Sequence, residues 1–101
     1  MAVTRPLILA MLAAFAVDLP PLAYDHPFPG QTVIDEHWDG SISAWNGPCF
    51  PWLGVYACAK SVNGVCYIWA MEGKLRSTPN LMRHEIGRCN GWLGNEPTGR
   101  T

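Results

Sequence analysis

Four cysteines, Cys49, Cys58, Cys66 and Cys89, stand in a chain of 101 residues. Their even number constrains the fold more than any other feature, because a small domain has a marginal core and commonly relies on covalent staples. Compartment and spacing decide whether they are staples or metal ligands. The chain opens Met1-Ala2-Val3-Thr4-Arg5, runs through an apolar stretch from Leu7 to Val17, and reaches Asp18 and Pro20-Pro21. A basic start, a short apolar run and small residues at Ala14-Phe15-Ala16, with Ala23 as a second position, are the layout of a secretory signal. The run falls short of the roughly 20 residues that cross a bilayer. Residues 1–23 are therefore expected to be a signal peptide, cut after Ala16 or Ala23. Residues 24–101 then form one domain in the periplasm or outside the cell, with no stable membrane span. In such an oxidising compartment two disulfides are expected. A zinc site built from all four cysteines is the competing reading, but their spacing lacks the paired C-x-x-C knuckles that such sites use.

Charge narrows the partners. The formal net charge is -1, with 49% apolar and 15% charged residues, the balance of one globular domain. No basic stripe is available to neutralise phosphates, so no nucleic-acid partner is expected, and an anionic membrane surface is equally poorly matched.

Asn63-Gly64 lies between Val55–Val62 and Val65–Met71, two runs suited to strands. This dipeptide favours the two-residue type I′ turn, whose central residues both need positive φ, so the two runs are expected to form a β-hairpin. Upstream, from Val17 to about Pro51, proline, glycine, aspartate and aromatics follow no sustained period, which predicts a long irregular arm. Trp38, Trp45, Phe50 and Trp52 are its expected anchors on the core. Downstream, Thr78 as N-cap and Pro79 as first helical residue predict a helix over Asn80–Cys89, stopped by Asn90-Gly91. The tail after Trp92 reads as turns. Gly87 inside the helix costs about 1 kcal/mol of propensity against alanine, which asks for a packing or site reason.

Register ties these elements together. If Val62 faces Val65, then Ser61 faces Cys66 and Cys58 faces Trp69, placing Cys58 and Cys66 on opposite faces of the ribbon. The Cys66 face, with Ile68 and Ala70, can receive the helical stripe Met82, Ile86 and Cys89. A Cys66–Cys89 bridge is expected, and Cys49–Cys58 follows by elimination.

The helix carries His84-Glu85-Ile86-Gly87-Arg88, one position away from H-E-x-x-H. In the intact motif two histidines one turn apart reach a single zinc, and the glutamate polarises the attacking water. The longer run Arg83-His84-Glu85-Ile86-Gly87-Arg88-Cys89-Asn90-Gly91-Trp92 resembles the R-H-E-[IL]-G-H-C-N-G-W signature of small exported bacterial proteins classed as zinc metallopeptidases. The elements read above make an α+β fold, a small disulfide-stapled domain with a β-hairpin packed on one HExxH-type helix and a long irregular N-terminal arm. The resemblance implies His84 as a zinc ligand and Glu85 as the general base. Similar sequences place a further histidine ligand twelve residues beyond the first, where this chain has Glu96, an oxygen donor that zinc accepts. Arg88 occupies the second ligand position, and a guanidinium has no lone pair to offer a metal. An ion pair of Arg88 with Glu85 or Glu96 is a natural replacement for the ion.

Three functions follow. The first is a degenerate metallopeptidase-like exported protein whose metal-dependent hydrolysis is impaired or lost through Arg88, with zinc bound weakly or not at all. The second is an active zincin-like hydrolase of peptide or amide bonds that uses Glu96 or another ligand. The third is a disulfide-stapled secreted binding or inhibitor protein. Each leaves room for a peptide or protein as substrate or partner. Asp35-Glu36-His37 with Asp39, and His26, are the remaining groups with ligand chemistry, and they read as a solvated loop.

Overall fold

The computed structural model describes residues 16–39, 47–49 and 55–93. After a single 3-10 turn at Leu22–Tyr24 the chain forms β1 (Gln31–Asp35), β2 (Ala57–Val62), β3 (Val65–Ala70), a short helix α1 (Lys74–Ser77) and the longer helix α2 (Leu81–Cys89). The result is a small α+β arrangement with a three-stranded sheet in the order β1-β3-β2.

The hairpin grows from its turn. Asn63 and Gly64 take φ of 51° and 78°, both positive as a type I′ turn requires. Val62 then faces Val65, Ser61 faces Cys66 and Cys58 faces Trp69, which is the expected register. Along β3 the side chains of Cys66, Ile68 and Ala70 are buried while Val65, Tyr67 and Trp69 are half-buried, the period of two that separates the faces of a sheet. On the second face the Tyr67 and Trp69 rings stack with centroids 5.9 Å apart.

The irregular arm expected between Val17 and Pro51 is not irregular throughout. Gln31–Asp35 pairs in parallel with β3, from Gln31 opposite Val65 to Asp35 opposite Trp69. Its centre, Thr32-Val33-Ile34, is β-branched and prefers extended backbone, but five residues are too short to show a period. As an edge strand it is exposed along its whole length. The arm's aromatic anchoring holds at Trp38, which is buried, donates its N–H to the Ala70 carbonyl at 3.1 Å, and packs with Cys49, Val55, Cys58, Trp69 and Met71. Trp45, Phe50 and Trp52 lie outside the described residues, as do residues 1–15 of the expected signal and the tail from 94 onward that holds Glu96.

The helix begins later than expected. Thr78 is extended and closes α1, its N–H donating to the Lys74 carbonyl, while Asn80 precedes α2 in the left-handed region at φ 69°. Asparagine tolerates that conformation, so Thr78-Pro79-Asn80 turns the chain between two helices instead of capping one. The stop is as expected. Gly91, at φ 109°, lets Trp92 N–H reach the Gly87 carbonyl and its own N–H reach that of Arg88, both at 3.1 Å, a Schellman closure.

Disulfides join Cys66 to Cys89 and Cys49 to Cys58. The first ties the end of α2 to the central strand, in a cluster with Ile68, Phe28, Ala59, Met82 and Ile86. A second cluster of Val17, Ala57, Ala70 and Leu81, flanked by Tyr56 and Leu75, fills the other end of the helix–sheet contact. Among the described residues no helix is long and apolar enough to cross a membrane.

Non-reducing peptide mapping should recover Cys66–Cys89 as a linked pair, and a dominant Cys58–Cys66 peptide would contradict the register. Replacing both Cys66 and Cys89 with alanine should lower unfolding stability by about 2–5 kcal/mol in denaturant titration.

Candidate functional site

An α-helix advances about 100° per residue, so binding one stripe to the sheet dictates what the other faces can touch. Met82, Ile86 and Cys89 turn to the Cys66 face. Leu81 and Glu85 then lie on one flank, toward Val17, Ala57 and Tyr56, and Arg83 and Asn90 lie on the other. His84 and Gly87 point away from the sheet.

The N-terminal arm covers that outward face. His84 is 2% exposed. Its Nδ1 is 2.7 Å from the Asp18 carbonyl oxygen, which can only accept, so Nδ1 carries the proton and Nε2 the lone pair. Nε2 is buried with no hydrogen-bond partner. The Trp92 ring, brought back by the helix stop, meets the imidazole edge-on with centroids 4.9 Å apart. Burial pushes the His84 pKa below its ordinary value, and the nearby Arg88 charge acts in the same direction, against the Asp18 carbonyl bond and carboxylate.

Gly87 has the packing reason its propensity cost demands. A Cβ built there would stand 2.4 Å from Cγ of Pro20, which is buried against the helix. On the flank, Arg83 makes a two-pronged ion pair with Asp25: Nε donates to Oδ1 at 3.1 Å and Nη2 to Oδ2. The guanidinium holds the Asp25 carboxyl below the usual carboxylate range. Asn90 Nδ2 donates to the Tyr24 and His26 carbonyls at 2.9 and 2.7 Å. Asn80 Nδ2 reaches the Val17 carbonyl at 3.4 Å. Residues 17–26 thus form a strap across α2, held by Asn80, Arg83, His84, Gly87 and Asn90. The partners Val17, Asp18, Pro20 and Asp25 were not visible as site residues, because backbone carbonyls and proline rings carry no motif. The one sequence signal was the opposite charge of Asp25 and Arg83.

Of the residues expected at a zinc site, His84, Glu85 and Arg88 are among those described, and Glu96 lies outside them. Glu85 is 1% exposed, and after burial itself its charge is what raises the Tyr56 hydroxyl pKa, so it belongs to the flank against the start of β2. Arg88 sets its guanidinium carbon 5.2 Å from the Trp92 ring centroid, within cation–π range. The lone pair on His84 Nε2 suits one metal ligand, and its Nδ1–H to carbonyl bond is the usual outer support for such a ligand. A catalytic zinc needs three protein ligands, however. Among the described residues, which do not include Glu96, no group of three or more His, Cys, Asp or Glu side chains is placed to hold a metal. Asp35 accepts from the His37 N–H at 2.9 Å, and His37 lies 3.5 Å from Glu72 with both side chains exposed. His26 turns its Nδ1 to the Pro27 carbonyl at 3.0 Å.

Comparison with protein-family models, curated proteins and solved structures finds no match to this chain.

Two outcomes follow from the strap. Because the folded His84 pKa is depressed, the unfolded chain binds the extra proton first. The stability contributed by neutral His84 is complete above the unfolded value of about 6.5 and is lost as pH falls from there through the folded value. His84→Asn keeps a donor for the Asp18 carbonyl and removes the titration, so thermal melts should show a smaller loss between pH 7 and about 5 than in the parent. An unchanged pH profile would contradict this. Gly87→Ala should destabilise by about 1–3 kcal/mol in denaturant despite its better helix propensity, since the methyl group must displace Pro20.

Proposed function

We propose that this chain is an exported, disulfide-stapled module without hydrolytic activity, in which a helix similar to that of zinc metallopeptidases holds the chain's own N-terminal arm in place of a metal. One observation carries the reading: Arg83, His84, Gly87 and Asn90, four residues of the resembling run, are each engaged by residues 18–26. Arg88, at the second ligand position, supplies only donors and lies over Trp92. A peptide or protein is the partner class this reading leaves open. Two disulfides suit an oxidising compartment outside the cytoplasm, periplasmic or extracellular, which agrees with the signal-like first residues.

The second reading, a hydrolase with zinc on His84 and Glu85 as base, draws on the lone pair left at His84 Nε2. That atom supports descent of the helix from a metal-binding one. It does not by itself assemble the other ligands, and the Glu85 charge acts on the Tyr56 hydroxyl.

Metal analysis of the oxidised, exported protein after dialysis should find no stoichiometric zinc, and stoichiometric zinc would overturn the reading. Arg88→His adds an imidazole one turn beyond His84 on the same side of α2. Calorimetric titration near neutral pH should show tighter zinc binding than in the parent. Equal affinity would mean that positions 84 and 88 never faced a common site.

A further inference from the structure

We propose that a leader peptidase cuts this chain between Ala16 and Val17, and that the end it releases becomes the strap that completes the domain. The proposal rests on the export reading above and goes beyond it by naming the bond. Sequence alone leaves two cuts open, one after Ala14-Phe15-Ala16 and one after Ala23. Packing separates them.

Val17 is in close contact with the domain. Its side chain is 3% exposed and packs with Ala57, Ala70 and Leu81. Its N–H donates to the Pro79 carbonyl at 3.4 Å, and its carbonyl accepts from Asn80 at the same distance. Asp18 supplies the carbonyl that holds His84, and Pro20 fills the notch at Gly87. A cut after Ala23 removes every one of these groups. It would leave Nδ1 of the His84 ring without its acceptor and open a gap beside Leu81. A cut after Ala16 removes none of them. Ala16 itself is only half-buried, and Ala23 is exposed on the strap's outer side.

The reaction is amide hydrolysis by a peptidase whose pockets accept small residues at the first and third positions before the bond. The Ala16–Val17 C–N bond breaks, the oxygen of water joins the Ala16 carbonyl carbon, and the Val17 nitrogen leaves as an amine that takes up a proton. No oxidant or reductant is needed. Since the Val17 nitrogen is held against Pro79 in the folded domain, the bond is cut while the chain is still extended, before the strap docks. The new ammonium keeps its donor role toward the Pro79 carbonyl, now as a charge-assisted bond.

The test is expression of the full chain in a bacterial secretion host, with N-terminal sequencing and intact mass of the disulfide-bonded product. The product should begin at Val17. Ala16→Leu should abolish that product and accumulate chain beginning at Met1, whereas Ala23→Leu should leave processing unchanged. A parent product beginning at Tyr24 overturns the proposal and leaves export standing. A disulfide-bonded product still beginning at Met1 overturns both. A Val17-initiated product from Ala16→Leu at the parent yield also overturns it, because the small residue before the bond would then not be read.

Discussion

The Cys66–Cys89 bridge sets the rotation of α2, and most of what is distinctive in the molecule follows from that rotation. Cys66 belongs to the buried face of the central strand, with Ile68 and Ala70. Once Cys89 is joined to it, Met82 and Ile86 must share the same contact, because they lie on one helical stripe. His84, two residues from Met82 and about 200° around the helix from it, then has to point away from the sheet. A half-polar helix face in that position must find either water or another piece of chain. Here it finds residues 17–26, whose backbone carbonyls accept from His84 Nδ1 and Asn90 Nδ2.

This geometry changes what the histidine-glutamate pair means. In a metal site the imidazole uses one nitrogen for the ion and the other for an outer acceptor. In this chain the outer acceptor, the Asp18 carbonyl, is present, and the position expected to supply a second imidazole carries Arg88 instead. The arginine does not sit idle: its guanidinium lies over Trp92, whose ring is placed by the Gly91 turn and closes on His84. The resembling run therefore works as a structural unit, with Arg83 and Asn90 binding the strap on one flank, Gly87 admitting Pro20, and Trp92 capping the imidazole.

Features that depend on neighbours in sequence were legible beforehand. Asn63-Gly64 specified the turn, the turn specified the register, the register separated Cys58 from Cys66, and the helical stripe of Met82, Ile86 and Cys89 facing Cys66 pointed to the bridge to Cys89. Asn90-Gly91 likewise marked the end of α2. What stayed hidden depends on partners far along the chain. β1 is stabilised by pairing with β3 more than thirty residues away, and its five exposed residues show no period of their own. Thr78 and Pro79 form a proper N-terminal signal, but the left-handed Asn80 moved the helix start because the chain there also receives Val17. The strap was legible only as a stretch between a signal-like run and the first strand, since its contacts use main-chain carbonyls and a proline ring, which no side-chain motif announces.

The central claim is that His84 is held by the strap and not by a metal, and nitrogen chemical shifts of its ring test this most directly. For the folded, oxidised protein at neutral pH the account predicts an imidazole protonated at Nδ1 with a bare lone pair at Nε2, unchanged when a chelator is added. A proton on Nε2, or an Nε2 resonance that moves when metal is withdrawn, would contradict it.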